Sequence, residues 1–205
     1  MDQLVQILFA TGNRHKLREV REMLEGTRFR AISLADITDP PEVIEDGDTF
    51  RANADKKARA LAAHTGRVCV ADDSGIEVDA LGGAPGVHSA RFAGMSGEAA
   101  DPANNRLLLE RLTAVPDAER TARFRCALAV VHPDGRALYS DGAVEGRIGH
   151  QECGEGGFGY DPLFLLEGDP QGRTTAQLSA DEKNAISHRG VALRALLPML
   201  DEIIS

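Results

Sequence analysis

An α/β fold is predicted by two features of this 205-residue sequence, and its composition makes it globular. Short apolar runs closed by Gly, Asn or Asp alternate with longer segments of helical period. A Pro-Asp-Gly turn at 133–135 joins two strand-like runs. A composition of 42% hydrophobic and 27% charged residues is that of an ordinary globular chain, long enough for one large domain or two small lobes.

The elements follow in order. Residues 4–10 read as a buried strand ended by Thr11-Gly12-Asn13. Residues 15–25 read as a helix with Leu17, Val20 and Leu24 on one face and Gly26 as its stop. A second strand covers 29–34. The stretch 36–48, DITDPPEVIEDGD, is polar and carries Pro40-Pro41, which excludes helix and central strand. Residues 49–64 form a helix capped by Asp48 or Thr49 and closed by Gly66. The run 67–71 is a strand that delivers Asp72 and Asp73, with Ser74-Gly75 expected to end it. A short helix is predicted over 104–112, and a hairpin pairs 123–132 with 137–148. Residues 179–204 are helical, with Ser179 as cap and Gly190 and Pro198 as breakers.

Composition excludes several function classes. Aromatic residues make up 4% of the chain and Trp is absent, which disfavours a base-stacking nucleic-acid platform. A formal charge of -9 opposes a polyanion as a general partner, so a small anion needs a local basic pocket. Three cysteines, Cys69, Cys126 and Cys153, make no disulfide framework and no zinc spacing. The first thirteen residues begin acidic, and their apolar run is too short for a signal peptide or membrane span. A reducing cytoplasm is the expected compartment.

Ala71-Asp72-Asp73-Ser74-Gly75 is where chemistry is expected. Two acids at the end of a buried strand, before the loop Leu81-Gly82-Gly83-Ala84-Pro85-Gly86, suit a metal-assisted phosphoryl reaction. They also suit a plain Asx turn that ends a strand. The acidic loop offers Asp39, Glu42, Glu45, Asp46 and Asp48, either as a solvated surface or, with Glu45 best placed, as a second metal ligand. Thr11-Gly12-Asn13 at a strand-to-helix turn is expected to present free amides and the positive helix end to an anion. Lys16 in that first turn opposes the dipole preference and so asks for another purpose.

Lysine usage sharpens this. Of 23 Lys and Arg residues only four are Lys, namely Lys16, Lys56, Lys57 and Lys183. They fall in three stretches: the Thr11-to-Lys16 turn, the helix that follows the acidic loop, and the start of the C-terminal helical segment. A compact ammonium suits phosphate oxygens, and Arg does not replace it geometrically. Further along, Gly154-Glu155-Gly156-Gly157-Phe158-Gly159-Tyr160-Asp161-Pro162 sets two aromatics and an acid among glycines that let a ligand approach the backbone. Phe158 is either a stacking face for a base or a loop anchor.

Five blocks in register resemble the inosine/xanthosine triphosphate pyrophosphatases. They are Thr11-Gly12-Asn13-x-x-Lys16, Ala71 to Gly75, Gly82 to Arg91, Gly156 to Pro162 and Ser187-His188-Arg189-Gly190. The resemblance spans residues 8 to about 197. It implies an elongated mixed central sheet flanked by helices, two lobes around a substrate cleft, in one catalytic domain covering 1–205. It also implies Mg²⁺-dependent hydrolysis of ITP, dITP or XTP to the monophosphate and pyrophosphate, usually by a homodimer. Carried over by position, Glu45 and Asp73 hold Mg²⁺, and Asp73 also accepts a proton. Thr11, Gly12, Asn13, Lys16 and Lys57 meet the triphosphate, and Ser74 touches substrate. Phe158, Gly159, Tyr160, Asp161, Lys183, His188 and Arg189 surround the nucleoside, while Asp72 is a second ligand or an orienting group. Ala52 departs from the family, where Glu commonly precedes the Asn found here at 53, so an acidic role there is in doubt. The rival expectations are a pyrophosphatase for modified pyrimidine triphosphates and a non-catalytic nucleotide sensor.

Overall fold

The structure, a computed structural model, describes residues 4–204. Residues 1–3, part of the N-terminal stretch read above as no leader, lie outside the described residues. The chain runs β1 (Val5–Phe9), α1 (Arg14–Leu24), β2 (Phe29–Ser33), α2 (Phe50–Thr65), β3 (Cys69–Val78) and α3 (Ala100–Arg111). It continues through β4 (Thr121–Val131), β5 (Ala137–Ile148), β6 (Phe164–Leu166), α4 (Ala180–Ile186), α5 (His188–Leu196) and α6 (Leu200–Ile204). The six strands form one sheet in the order β2-β1-β3-β4-β5-β6. β1 pairs parallel with β2 and β3, and β5 pairs antiparallel with β6, so the sheet is mixed, and the α/β class is as expected.

The chain divides into two compact units. One holds residues 4–73, Cys126–Gly142 and 188–204; the other holds Ser74–Arg125 and Ala143–Ser187.

In the first unit, strand alternation sends successive side chains to opposite faces. Ile7, Phe9, Val70, Leu128 and Val130 pack with Leu17, Val20, Leu193 and Leu196 of α1 and α5. Leu8, Cys69, Ala71, Ala129 and Val131 pack with Ala54, Ala58, Leu61 and Ala62 of α2. Strands covered on both faces explain the unbroken apolar runs seen in the sequence. Thr49 caps α2 by accepting the Ala52 N–H, and Gly66 closes it at φ 63°, as expected. The second unit has its own core, in which Ile76, Val78, Phe124, Leu163 and Phe164 meet Leu108 and Leu112 beside α3.

Two expectations are corrected. Ser74-Gly75 does not end a strand: β3 runs ten residues through the whole ADDSG motif. The Asx-turn reading falls with it. The reason lies in the loop at 82–91, which folds back on β3. There the Ser89 hydroxyl accepts the Ile76 N–H at 2.9 Å and donates to the Gly86 carbonyl at 2.6 Å. A Cβ on Gly75 would meet Ser89 Oγ at 2.3 Å, so Gly75 marks a close approach rather than a stop. The C-terminal helical break also lies elsewhere than expected. Gly190 is inside α5, and the chain turns at Ser187, whose φ/ψ of -61°/150° is extended. Pro198 does interrupt, in a short 3₁₀ turn before α6.

Candidate active site

Asp72 and Asp73 are neighbours on β3, so the pleat aims them at opposite faces. Asp72 Oδ2 accepts from Lys16 Nζ at 2.8 Å and from Arg189 Nη2 at 3.3 Å. Arg189 also pairs with Glu19, a buried acid of α1. Burial alone would raise the Asp72 pKa. The charges of Lys16, Arg189 and Lys57 outweigh burial and hold the carboxyl well below the usual carboxylate range. Arg189, whose side chain is 1% exposed, is held charged in the same way: burial opposes its charge, while Asp72 and Glu19 sustain it.

Asp73 faces α2. Its Oδ2 accepts from Asn53 Nδ2 at 2.9 Å, and Asn53 Oδ1 accepts the Gly47 N–H at 2.8 Å. One turn along α2, Lys57 Nζ lies 2.7 Å from Glu45 Oε2. Burial pushes the Asp73 carboxyl above its ordinary range. Lys57, the Asn53 hydrogen bond and Lys16 oppose that shift, and the charge of Glu45 adds to it. The two acids, whose division of roles the sequence left open, therefore stand in different fields. Asp72 is a fixed anion between cations, and Asp73 is a carboxylate with raised proton affinity near a second acid.

Lys16 is delivered by a tightly built turn. Thr11 Oγ1 accepts the Asn13 N–H at 3.1 Å, and Asn13 Oδ1 caps α1 by accepting from His15 and Lys16 N–H at 2.9 and 3.2 Å. Two of the first helix amides, those of His15 and Lys16, thus end on the Asn13 carboxamide, and the turn also presents the Lys16 ammonium.

The second unit holds a separate constellation. Asp161, buried, accepts the Phe158 N–H at 2.8 Å, Lys183 Nζ at 2.7 Å and the Thr175 hydroxyl at 2.9 Å. Lys183 Nζ also stands 4.9 Å from the Phe158 ring centroid. A Cβ on Gly157, at φ 73°, would meet Asp161 Oδ2 at 2.1 Å, so glycine there lets the loop close on the acid. Tyr160 is in the core and donates its hydroxyl to the Ser89 carbonyl at 2.8 Å. Tyr160 and Asp161 thus do the anchoring, and Phe158 is left half-buried at the surface of the loop. Ser74 is half-buried on β3, and His188 is buried at the start of α5.

Each of the four lysines rests on a carboxylate, the fourth pair being Lys56 with Asp46. Lys16, Lys57 and Lys183 are 15%, 14% and 11% exposed, against 45% for Lys56, which separates three built cations from one surface one. Glu19 and Asn53 carry site contacts that sequence reasoning did not assign. For Glu19 the only signal is a polar residue on an otherwise apolar helix face, whereas Asn53 was also marked by the family resemblance. Among the described residues no three His, Cys, Asp or Glu side chains converge as a metal cage. Two hard carboxylates, Glu45 and Asp73, are still a fitting donor set for Mg²⁺, which takes one or two protein carboxylates and completes its shell with water and substrate phosphates.

Comparison with known proteins adds to this geometry. The model of the Ham1 family matches residues 7–199. A dITP/XTP pyrophosphatase of Desulforamulus reducens is 47% identical over 199 residues, 97% of each chain. The solved structure of a HAM1 protein from Coxiella burnetii is 40% identical with a TM-score of 0.85, covering 97% of this chain and 99% of that one. A nucleoside-triphosphatase / dITP/XTP pyrophosphatase from Mycobacterium abscessus is 47% identical with a TM-score of 0.76, covering 95% and 100%.

Proposed function

The chain belongs to the Ham1 family, and from that premise we propose that it hydrolyses non-canonical purine nucleoside triphosphates to the monophosphate and pyrophosphate. ITP, dITP and XTP are the substrates, and the whole matched stretch acts as one catalytic domain. The observation that carries the reading is Asp73, a buried carboxylate held by Asn53 on the helix that also carries Lys57, the partner of Glu45.

Glu45 and Asp73 would hold Mg²⁺, which when bound neutralises phosphate charge and makes a water more acidic. Lys16 and Lys57 bind phosphate oxygens, exchanging part of their present pairing with Asp72 and Glu45 for the ligand. Asp73 accepts the proton of the attacking water as pyrophosphate leaves, oriented for it by the hydrogen bond from Asn53. Asp72 stays ionised and orients Lys16, with Arg189 and Glu19 behind it. Thr11, Gly12 and Asn13 shape the turn that carries Lys16, and Ser74 is a substrate contact.

For the nucleoside, Phe158 offers a stacking face within the Gly159-Tyr160-Asp161 loop, beside Lys183. Inosine and xanthine carry a 6-oxo acceptor where adenine has a 6-amino donor. Donors such as His188 or backbone amides pair with the oxo group and are left unsatisfied by adenine, a mismatch that discriminates by ~10⁴ or more; Arg189, carried over with them, is committed to Glu19 and Asp72. Unpaired cysteines and the acidic charge support a cytoplasmic enzyme with no nucleic-acid or membrane partner, and the family resemblance adds a homodimer. No described helix is long and apolar enough to cross a membrane.

The test is turnover of ITP, dITP, XTP, GTP, ATP and a modified pyrimidine triphosphate, with and without Mg²⁺, on wild-type and Asp73→Asn protein. Fast Mg²⁺-dependent release of pyrophosphate from the first three, lost in Asp73→Asn with nucleotide binding kept, is the expected result. Near-normal kcat in the variant would remove Asp73 from the chemistry. Binding without turnover by the wild type would leave a nucleotide sensor.

A further inference from the structure

Gly159 sits at φ 61° between Phe158 and Tyr160, and both of its backbone polar groups end on α3. Its N–H donates to Asp101 Oδ2 at 2.7 Å, and its carbonyl accepts from Asn105 Nδ2 at 3.1 Å. The two side chains are one helical turn apart, on the same face of α3. That helix is itself fixed. Leu108 lies in the core of the unit, and Asn104 joins the Ala93 N–H to the Ser89 carbonyl at 2.8 and 3.2 Å. The Phe158 loop is therefore clamped at Gly159 by α3, as it is closed on itself by Asp161.

We propose that Asp101 and Asn105 are positioning residues for nucleoside recognition. By holding Gly159 from both sides they keep the Phe158 ring and the Lys183 ammonium in one arrangement. Without them the loop must order itself when the nucleoside binds, and affinity falls. This rests on the reading that Phe158 meets the nucleoside. Asp101 is exposed and so can be changed without opening the core, whereas Asn105 is buried.

The test measures KM for dITP alongside the inhibition constant of inorganic tripolyphosphate, which has no nucleoside. Asp101→Ala is expected to raise KM by about tenfold, the scale of one hydrogen bond to a charged acceptor, while kcat and tripolyphosphate inhibition stay put. Asp101→Asn keeps an acceptor oxygen and should recover most of the loss. Asn105→Asp keeps the size and loses the donor, so it should resemble Asp101→Ala, and the Asp101 pair decides the matter if that variant does not fold. Phe158→Ala serves as reference. If it raises KM and Asp101→Ala does not, the clamp is refuted and the nucleoside site stands. If Phe158→Ala leaves KM unchanged, the nucleoside reading itself fails and the clamp with it. Equal losses for dITP and tripolyphosphate in Asp101→Ala also overturn it, since a specific nucleoside role predicts no change in the latter.

Discussion

Replacing Glu19 with Ala removes a carboxylate that, with Asp72, faces the Arg189 guanidinium, a group whose side chain is 1% exposed. Breaking a buried ion pair from one side costs about 3–5 kcal/mol, because the remaining charge cannot return to water. Asp72 continues to compensate Arg189, so the lower end applies, about 3 kcal/mol. For a chain of 205 residues that corresponds to a Tm lower by about 6–12 °C. Because the protein has no Trp, the transition is followed by far-ultraviolet circular dichroism in urea and on heating. Glu19→Gln, which retains shape and one acceptor, should lose roughly half as much. Adding Arg189→Met to Glu19→Ala should cost less than the sum of the single changes by about 1–3 kcal/mol, since the partner left charged is then gone. A loss below about 1 kcal/mol in Glu19→Ala, or strict additivity in the double variant, would show that Glu19 is not part of the network holding Asp72 and Lys16.

Gly75→Ala puts a methyl 2.3 Å from Ser89 Oγ and 2.6 Å from the Gly86 carbonyl, so it should destabilise by about 2–3 kcal/mol, and Ser89→Gly in the same chain should return part of it. A neutral Gly75→Ala in the same unfolding assay would mean that the loop does not seat on β3 as described. For the thiols, burial pushes Cys126 up to about 12 and raises Cys69 as well, whereas Cys153 is half-exposed. At pH 8 a group titrating near 12 is thiolate in about one molecule in 10⁴, so iodoacetamide should label Cys153 alone in the native protein. Rapid modification of Cys126, read by peptide mass spectrometry, would contradict its place in the core.

Much of this molecule follows from local pattern. Apolar runs of strand length, the Thr49 cap, the Gly66 stop and the Pro-Asp-Gly turn are each decided by a few neighbouring residues, so strands and helices lie close to where the sequence puts them. The scarcity of lysine was equally readable, and each of the four ends on a carboxylate. The burial of three of them required the structure. Where local pattern misled, a distant segment had intervened. The ADDSG motif has the composition of a turn, yet it continues as strand because Ser89, thirteen residues beyond Ile76, supplies its hydrogen bond and Gly75 admits the loop.

The sequence by itself determined the acids, the cations and the order of the elements that carry them. The different characters of Asp72 and Asp73 were decided only by tertiary structure. They are adjacent and chemically identical, and the pleat turns one toward Lys16 and Arg189 and the other toward Asn53. Field and burial at a carboxylate are set by groups within a few ångströms, and here those groups come from positions 16, 53 and 189 of the chain.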